Sequence, residues 1–223
     1  MLLARQEVLA SVLYKLDPEE ALDVISTEER KVFSGGQLDS RYVPGEGTLE
    51  GATAMVIGEA PGAQEAMARR PFVGPCRVIR ELMELAGLWC NYSDFRPPYG
   101  PTQAFQENAW LTNVVKFRPP GNRNPTHQEV SLARPFLLAE WITAGRPRII
   151  VPCGGISLAA VMGKPTSITR VAGSHLTRSA KTDGKTMHIF PMLHPAYALR
   201  NPDVQPNVER HWQLLGEFLA RHK

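Results

Sequence analysis

Four short apolar runs, ATAMVIG (52–58), AWLTNVV (109–115), RIIVP (148–152) and MHIFPML (187–193), each lead into a stretch of helical periodicity, and this alternation constrains the fold more than any other feature. The runs are strand-length and rich in branched and aromatic side chains. The segments that follow them, RVIRELMELAGL, HQEVSLARPFLLAEWI, ISLAAVM and VERHWQLLGEFLA, repeat apolar residues at helical spacing. Strand and helix alternating in this way predict an α/β fold, a three-layer α/β/α sandwich around a central four-stranded parallel sheet. In open parallel sheets the ligand lies beyond the carboxyl ends of the strands, so the residues just after each run are the candidates for function.

A length of 223 residues suits one such domain. Ahead of it, helical patterns near 2–15 and 18–31 and the turn-rich FSGGQLDSRYVPGEG form a lead-in. Residues 1–41 are therefore expected as a helical lead-in packed on the domain, and 42–223 as the α/β/α domain itself. No run of eighteen apolar residues is present, and the opening MLLARQEVLASVLYKL reads as an amphipathic helix rather than a signal peptide, which predicts a cytoplasmic protein without a membrane partner. A monomer is expected. The cysteines Cys76, Cys90 and Cys153 stand far apart without a CxxC pair, as buried thiols in a reducing compartment would. Charge is uneven: residues 1–54 carry five Lys/Arg against ten Asp/Glu, and residues 55–223 twenty against twelve. The basic body favours a polyanionic partner.

Three strand ends carry distinctive residues. The first continues as Gly58-Glu59-Ala60-Pro61-Gly62 and on to Pro71-Phe72-Val73-Gly74, where glycines let the backbone approach a ligand. The second gives TNVVKFRPPGNRNP, in which Asn113 offers a donor and an acceptor side by side, the geometry needed to read the edge of a base. The fourth gives HPAYALR, placing His194 where it could assist chemistry and a mixed aromatic, apolar and basic loop where it could enter a DNA groove.

GEAPGAQEAMARRPFVG, TNVVKFRPPGNRNP and HPAYALR, in this order, resemble the three motifs of family 4 uracil-DNA glycosylases, and with RPFL (134–137) and RPRIIVPCG the likeness spans roughly residues 42–216. The resemblance implies an enzyme that flips uracil out of DNA and hydrolyses its N-glycosidic bond, starting base excision repair. It implies that the loop of Gly58, Glu59 and Ala60 supplies main-chain contacts to uracil, with the Glu59 carboxylate near the scissile bond. By the same likeness Phe72 stacks on the flipped base, Asn113 pairs with its polar edge, and His194 stabilises negative charge on the leaving base. Glu59 and His194 are thus the expected catalytic pair. Tyr197 and Leu199 are candidate wedges, and Arg118, Arg123 and Arg200 candidate phosphate contacts, for a uracil-containing DNA partner. Where the wider superfamily places Asp or Asn to hold the attacking water, this chain has Ala60.

The chain departs from that family most at its iron-sulphur cluster. Family 4 enzymes typically use four cysteines: two ahead of the first motif, one inside VKCRPP and one before RPFL. Here the first 54 residues contain no cysteine, and Phe117 and Ala133 stand at the other two places. Clusters require thiolates, so no cluster, no other cofactor and no metal are expected, with apolar side chains and the N-terminal helices filling the space. Ala66, Arg69 and Ala198 also differ from the common motif forms. The KRRIH-like insertion of a covalently bonding branch is missing, so His127 is not a candidate nucleophile. Two other readings remain open. One is a glycosylase fold kept as a DNA- or partner-binding module with a degraded pocket. The other is a serine hydrolase, since Gly155-Ile156-Ser157-Leu158-Ala159 approaches a GxSxG elbow, with Asp183 and His194 downstream. Zinc deaminase chemistry fails, because Pro152-Cys153 lacks the second cysteine of PCxxC. The purified protein should be colourless and active without added iron; a brown preparation absorbing near ~400 nm would overturn this expectation.

Overall fold

The computed structural model describes residues 16–49, 51–74, 78–88, 108–179 and 184–222. The expected helix near 2–15 lies outside them, as do Cys76, Cys90 and Asp183. Among the described residues six strands form one sheet: β1 (Glu46–Gly47), β2 (Ala54–Gly58), β3 (Ala109–Asn113), β4 (Ile149–Pro152), β5 (Leu176–Ser179) and β6 (Thr186–Ile189), in the order β1-β3-β2-β4-β6-β5. The central four, β3-β2-β4-β6, are parallel, as the sequence predicts. The edges β1 and β5 run antiparallel to their neighbours. Neither edge gives an apolar run: β1 is two residues long, and β5 alternates half-buried and exposed positions.

Strand parity builds the layers. Alternate residues point to opposite faces, so Ala54 and Val56 of β2 join Leu111 and Val151 on one face, while Met55 and Ile57 join Trp110 and Ile150 on the other. The first face is covered by α3 (Val78–Leu85) through Ile79, Leu82 and Met83, and by α8 (Gln205–Arg221) through Val208, Trp212, Leu215 and Phe218. The second is covered by α4 (His127–Thr143) through Ala133, Leu137 and Trp141, and by α5 (Gly155–Met162) through Leu158 and Ala160. The shorter helices α2 (Ala63–Ala68), α6 (Ile168–Val171) and α7 (Pro195–Arg200) sit in the connections. No helix among the described residues is long and apolar enough to cross a membrane.

Helix α1 (Pro18–Phe33) packs outside α4, with Ala21 and Ile25 against Phe136 and Ala139. It starts where the Asp17 carboxylate accepts the amides of Glu19 and Glu20, each at 3.0 Å, and ends with Arg30 and Lys31 near the negative end of its dipole. Its inward stripe continues one turn past Ile25 to Glu29, which is completely buried. Glu29 Oε2 accepts the Tyr42 hydroxyl at 3.2 Å. Burial pushes the Glu29 carboxyl up to about 8, against the lowering influence of Lys116 and with further raising by Glu140.

Glu29 thus keeps its proton in the folded state over a range where the unfolded chain has lost it. Its contribution to stability is fully present below pH ~4.5, falls as pH rises toward about 8, and is level beyond, at roughly 1.4 kcal/mol for each unit of difference. Glu29→Gln keeps an acceptor for Tyr42 and removes the titration. Its melting temperature should match wild type near pH 4.5 and exceed it increasingly up to pH ~8; a difference that does not grow with pH would show that Glu29 does not carry this proton.

Candidate active site

Main-chain register sets the strand ends in one row. Gly58 closes β2 directly beside Asn113, which closes β3. On the other side, the Cys153 amide donates to Ile57 O and the Gly154 amide to Met192 O, so the segment leading to His194 continues the row. The three motifs therefore converge on one end of the sheet although they are far apart in sequence.

Gly58 is buried and can only be glycine. A Cβ there would lie 2.2 Å from Asn113 Oδ1 and 3.0 Å from Phe72 Cζ, so the missing side chain is the space into which the amide and the ring fit. Asn113 is 3% exposed, and its Nδ2 has no hydrogen-bond partner among the described residues. A buried donor left without a partner costs free energy, which a planar ligand with an acceptor would recover. Phe72 is buried to 1% exposure and holds φ at +54°, a left-handed conformation rare for an aromatic residue.

Glu59 and Ala60 follow Gly58 out of the sheet. Glu59 Oε1 accepts the Ile156 amide at 2.9 Å, at the start of α5, and Gly154, with φ +109°, lacks a Cβ that would stand 2.3 Å from the same oxygen. Burial raises the Glu59 carboxyl, and the amides of Ile156 and Gly155 draw it down. The carboxylate that the motif associates with the scissile bond is thus anchored by main-chain donors at a helix start. Ala60 is half-buried against the second core, and its side chain offers no polar atom to a water.

His194 is partly buried. Its Nδ1 accepts the Ala196 amide at 3.2 Å, which leaves the ring proton on Nε2. Burial, aided by the charge of Arg200, lowers its pKa to about 4, so the ring is neutral at pH 7 and donates through Nε2. Beyond it, α7 exposes Tyr197 at 41% and Leu199 at 50%.

The arginines divide. Arg200 is exposed. Arg118 is half-buried and donates through Nε to Asn122 Oδ1 at 2.6 Å. Arg123 instead forms a two-pronged ion pair with Glu129, at 2.8 and 2.7 Å, and draws that carboxyl down to about 2. Glu129 also accepts the Thr126 amide while its own amide donates to Thr126 Oγ1, the reciprocal cap of α4. Arg123 is therefore built into a helix cap. Ser157 is fully buried and donates to Gly154 O at 3.1 Å, the role of a first-turn helix residue rather than an exposed nucleophile.

The places of the last two cluster cysteines do not fit iron. Phe117 is buried with its ring 5.2 Å from Phe33 and 5.4 Å from Tyr42, and Ala133 is fully buried in the same core. Among the described residues no group of three or more His, Cys, Asp or Glu could hold a metal ion.

Two buried groups passed unnoticed in the sequence. Glu65 accepts the Gly62 amide at 2.9 Å and the Phe72 amide at 2.6 Å. Lys116 donates to Asn113 O at 2.5 Å and pairs with Glu140 at 2.7 Å. The spacing Gly62-x-x-Glu65 was the available signal for the first, as a carboxylate three residues past a helix start; the second pair is separated by 24 residues and had none.

Residues 44–216 match the model of the uracil DNA glycosylase superfamily. A type-4 uracil-DNA glycosylase of Saccharolobus solfataricus is 32% identical over 210 residues, covering 89% of this chain and 87% of the relative. Similar proteins of the same description occur in Thermotoga maritima, 34% identical over 187 residues with 82% and 85% coverage, and in Archaeoglobus fulgidus, 30% identical over 212 residues with 91% and 95% coverage. With the motif residues gathered at one end of the sheet and the match running over most of its length, the chain belongs to the uracil DNA glycosylase superfamily.

Proposed function

We propose that the protein is a uracil-DNA glycosylase that takes uracil out of the DNA stack and hydrolyses its N-glycosidic bond, and that it works without an iron-sulphur cluster. The observation that carries this reading is the buried Asn113 amide, its nitrogen without a partner among the described residues, beside the Phe72 ring and over a glycine. A flat base edge with an acceptor and a donor answers that slot. Aromatic packing of Phe33, Tyr42 and Phe117 at the cluster's place supports the second half.

In this reading extrusion of the nucleotide costs about a few kcal/mol, offset by stacking on Phe72 and by contacts of Tyr197, Leu199, Arg118 and Arg200 with the DNA. Arg123, committed to Glu129, is left out of that set. As the bond from the sugar to N1 breaks, its electron pair leaves with the uracil, and negative charge grows on the base oxygens. The neutral His194 ring donates from Nε2 to one of them. The electron-poor sugar carbon bonds the oxygen of a water molecule, which gives up a proton, and the uracil anion takes up a proton from solvent, leaving free uracil and an abasic sugar. Glu59, held at the start of α5, lends negative charge on the sugar side, and Ala60 leaves the water to main-chain groups.

An interaction that strengthens only as the bond breaks lowers the barrier without tightening substrate binding. His194→Ala should therefore slow single-turnover cleavage of a uracil oligonucleotide by about 10²- to 10³-fold while DNA affinity changes little. Arg200→Ala is the converse control: weaker binding, a shallower dependence on salt and a largely preserved rate at saturating protein. Cleavage by His194→Ala at the wild-type rate would remove this mechanism.

A further inference from the structure

The side chain of Asn113 can be no better placed than its own peptide, and that peptide is gripped from three residues away. Lys116 donates from Nζ to Asn113 O at 2.5 Å. Between the two, the Val114 amide donates to Gly58 O at 3.0 Å and the Val115 amide to Glu59 O at 3.1 Å. The Lys116 carbonyl in turn accepts the Val43 amide at 2.9 Å. Residues 113–116 therefore form a turn that the lysine side chain closes and that main-chain bonds stitch to the Gly58-Glu59 loop. Both halves of the pocket, the loop and the amide beside it, hang on this one turn.

A lysine buried to this degree needs a partner, and Glu140 Oε2 supplies it at 2.7 Å. The carboxylate has further work. Its Oε1 accepts the Trp110 indole at 3.0 Å and the Thr112 hydroxyl at 2.9 Å. Gly45 makes room for this, since a Cβ there would lie 2.2 Å from Glu140 Oε1 and 2.6 Å from the Trp110 ring. The two members of the pair thus act on different things. Glu140 fastens the body of β3 to α4 through Trp110 and Thr112, whereas the contact with Asn113 is made by the lysine.

We propose that Lys116 is a positioning residue for base recognition: by closing the turn after β3 it fixes the peptide of Asn113, and with it the place of the amide that pairs with uracil. This rests on the reading of the site as a uracil pocket. Recognition by a side-chain amide is directional. Its donor and acceptor must meet a carbonyl and an N–H of uracil together, and cytosine presents the reverse pattern at those two places. Misplacement by about 1 Å can cost ~10²-fold in rate even when its cause lies away from the chemistry. Lys116 touches no substrate atom; it acts through Asn113.

The test separates the grip on Asn113 from the stability of the ion pair. Single-turnover cleavage of a uracil oligonucleotide is measured together with binding of oligonucleotides carrying one cleavage-resistant 2′-fluoro deoxyuridine or deoxycytidine. Wild type, Glu140→Gln and the double variant Lys116→Met/Glu140→Gln are compared well below their melting temperatures. Glu140→Gln leaves a buried ammonium short of its partner and should melt lowest of the three, yet it keeps the bond to Asn113 O and should keep most of its cleavage rate. The double variant leaves neither charge buried and should melt closer to wild type. It should nonetheless cleave uracil about 10- to 100-fold more slowly and shrink the ratio of the two affinities by about tenfold. A folded double variant with the wild-type ratio, at whatever rate, overturns the proposal. So does a cleavage rate that follows melting temperature across the three proteins, which is what a merely structural role predicts. If the double variant does not fold, Lys116→Met alone decides: an unchanged affinity ratio in the folded protein overturns the proposal. A wild-type protein that cleaves uracil yet binds both analogues equally overturns the proposal alone; one that cleaves no uracil overturns the pocket reading beneath it.

Discussion

The structure depends on an ion pair sealed inside it. Lys116 and Glu140 are each about 2% exposed at the side chain, and removing two such charges from water costs several kcal/mol apiece unless their remaining hydrogen-bonding capacity is met. Here Glu140 also accepts the Trp110 indole at 3.0 Å and the Thr112 hydroxyl at 2.9 Å, while Lys116 holds Asn113 O. One carboxylate from α4 therefore grips two residues of β3 and, through the lysine, the strand's last carbonyl. The cost of burial is offset only when helix, strand and the turn after the strand are all in register. Residue Asn113, which must present its amide within a fraction of an ångström, sits at the end of that brace. Glu29 adds a second buried carboxyl, from α1, to the same neighbourhood, kept neutral by its burial and by Glu140.

Much of this was legible in the sequence because it is periodic. Strands that end at Gly58, Asn113 and Pro152 announce themselves as apolar runs, and β6 does so through Ile189 and the apolar residues after it. The edge strands do not, since β1 is two residues long and β5 exposes every second side chain; tertiary position, not pattern, makes them strands. In the site, Phe72, Asn113 and His194 stand out through their motifs. Glu65 and the Lys116–Glu140 pair do not, because what they do is satisfy main-chain and side-chain groups brought close only by folding. Arg123 is legible in the sequence only as a basic residue in a basic loop, whereas in the fold it also pairs with Glu129, the carboxylate of the α4 cap.

Where the resemblance to family 4 implies metal-bound cysteines, this chain has aromatic packing among its described residues. Phe33 from α1 and Tyr42 from the connecting segment close on Phe117, with Arg30 stacked 4.6 Å over the Tyr42 ring. Aromatic pairs and a cation over a ring are each worth on the order of 1 kcal/mol, individually far weaker than a metal-ligand bond, but they need no delivery and no redox state. Helix α1 joins this cluster with its last residue and buries Ala21 and Ile25 against α4 with its first turns, so its whole length is fastened.

The row of strand ends has a consequence for how the protein can be watched as it folds. Gly58, Asn113 and His194 belong to three separate pieces of chain, and each reaches its place only through pairings between residues distant in sequence. Topology of this kind closes large loops late, at rates set by the most distant pairing. A partly assembled sheet presents no partial pocket, only isolated side chains. Recovery of catalytic turnover after dilution from denaturant is therefore a stricter clock than recovery of helical circular dichroism. The lag between the two signals times the docking of the segment that carries His194 onto β4.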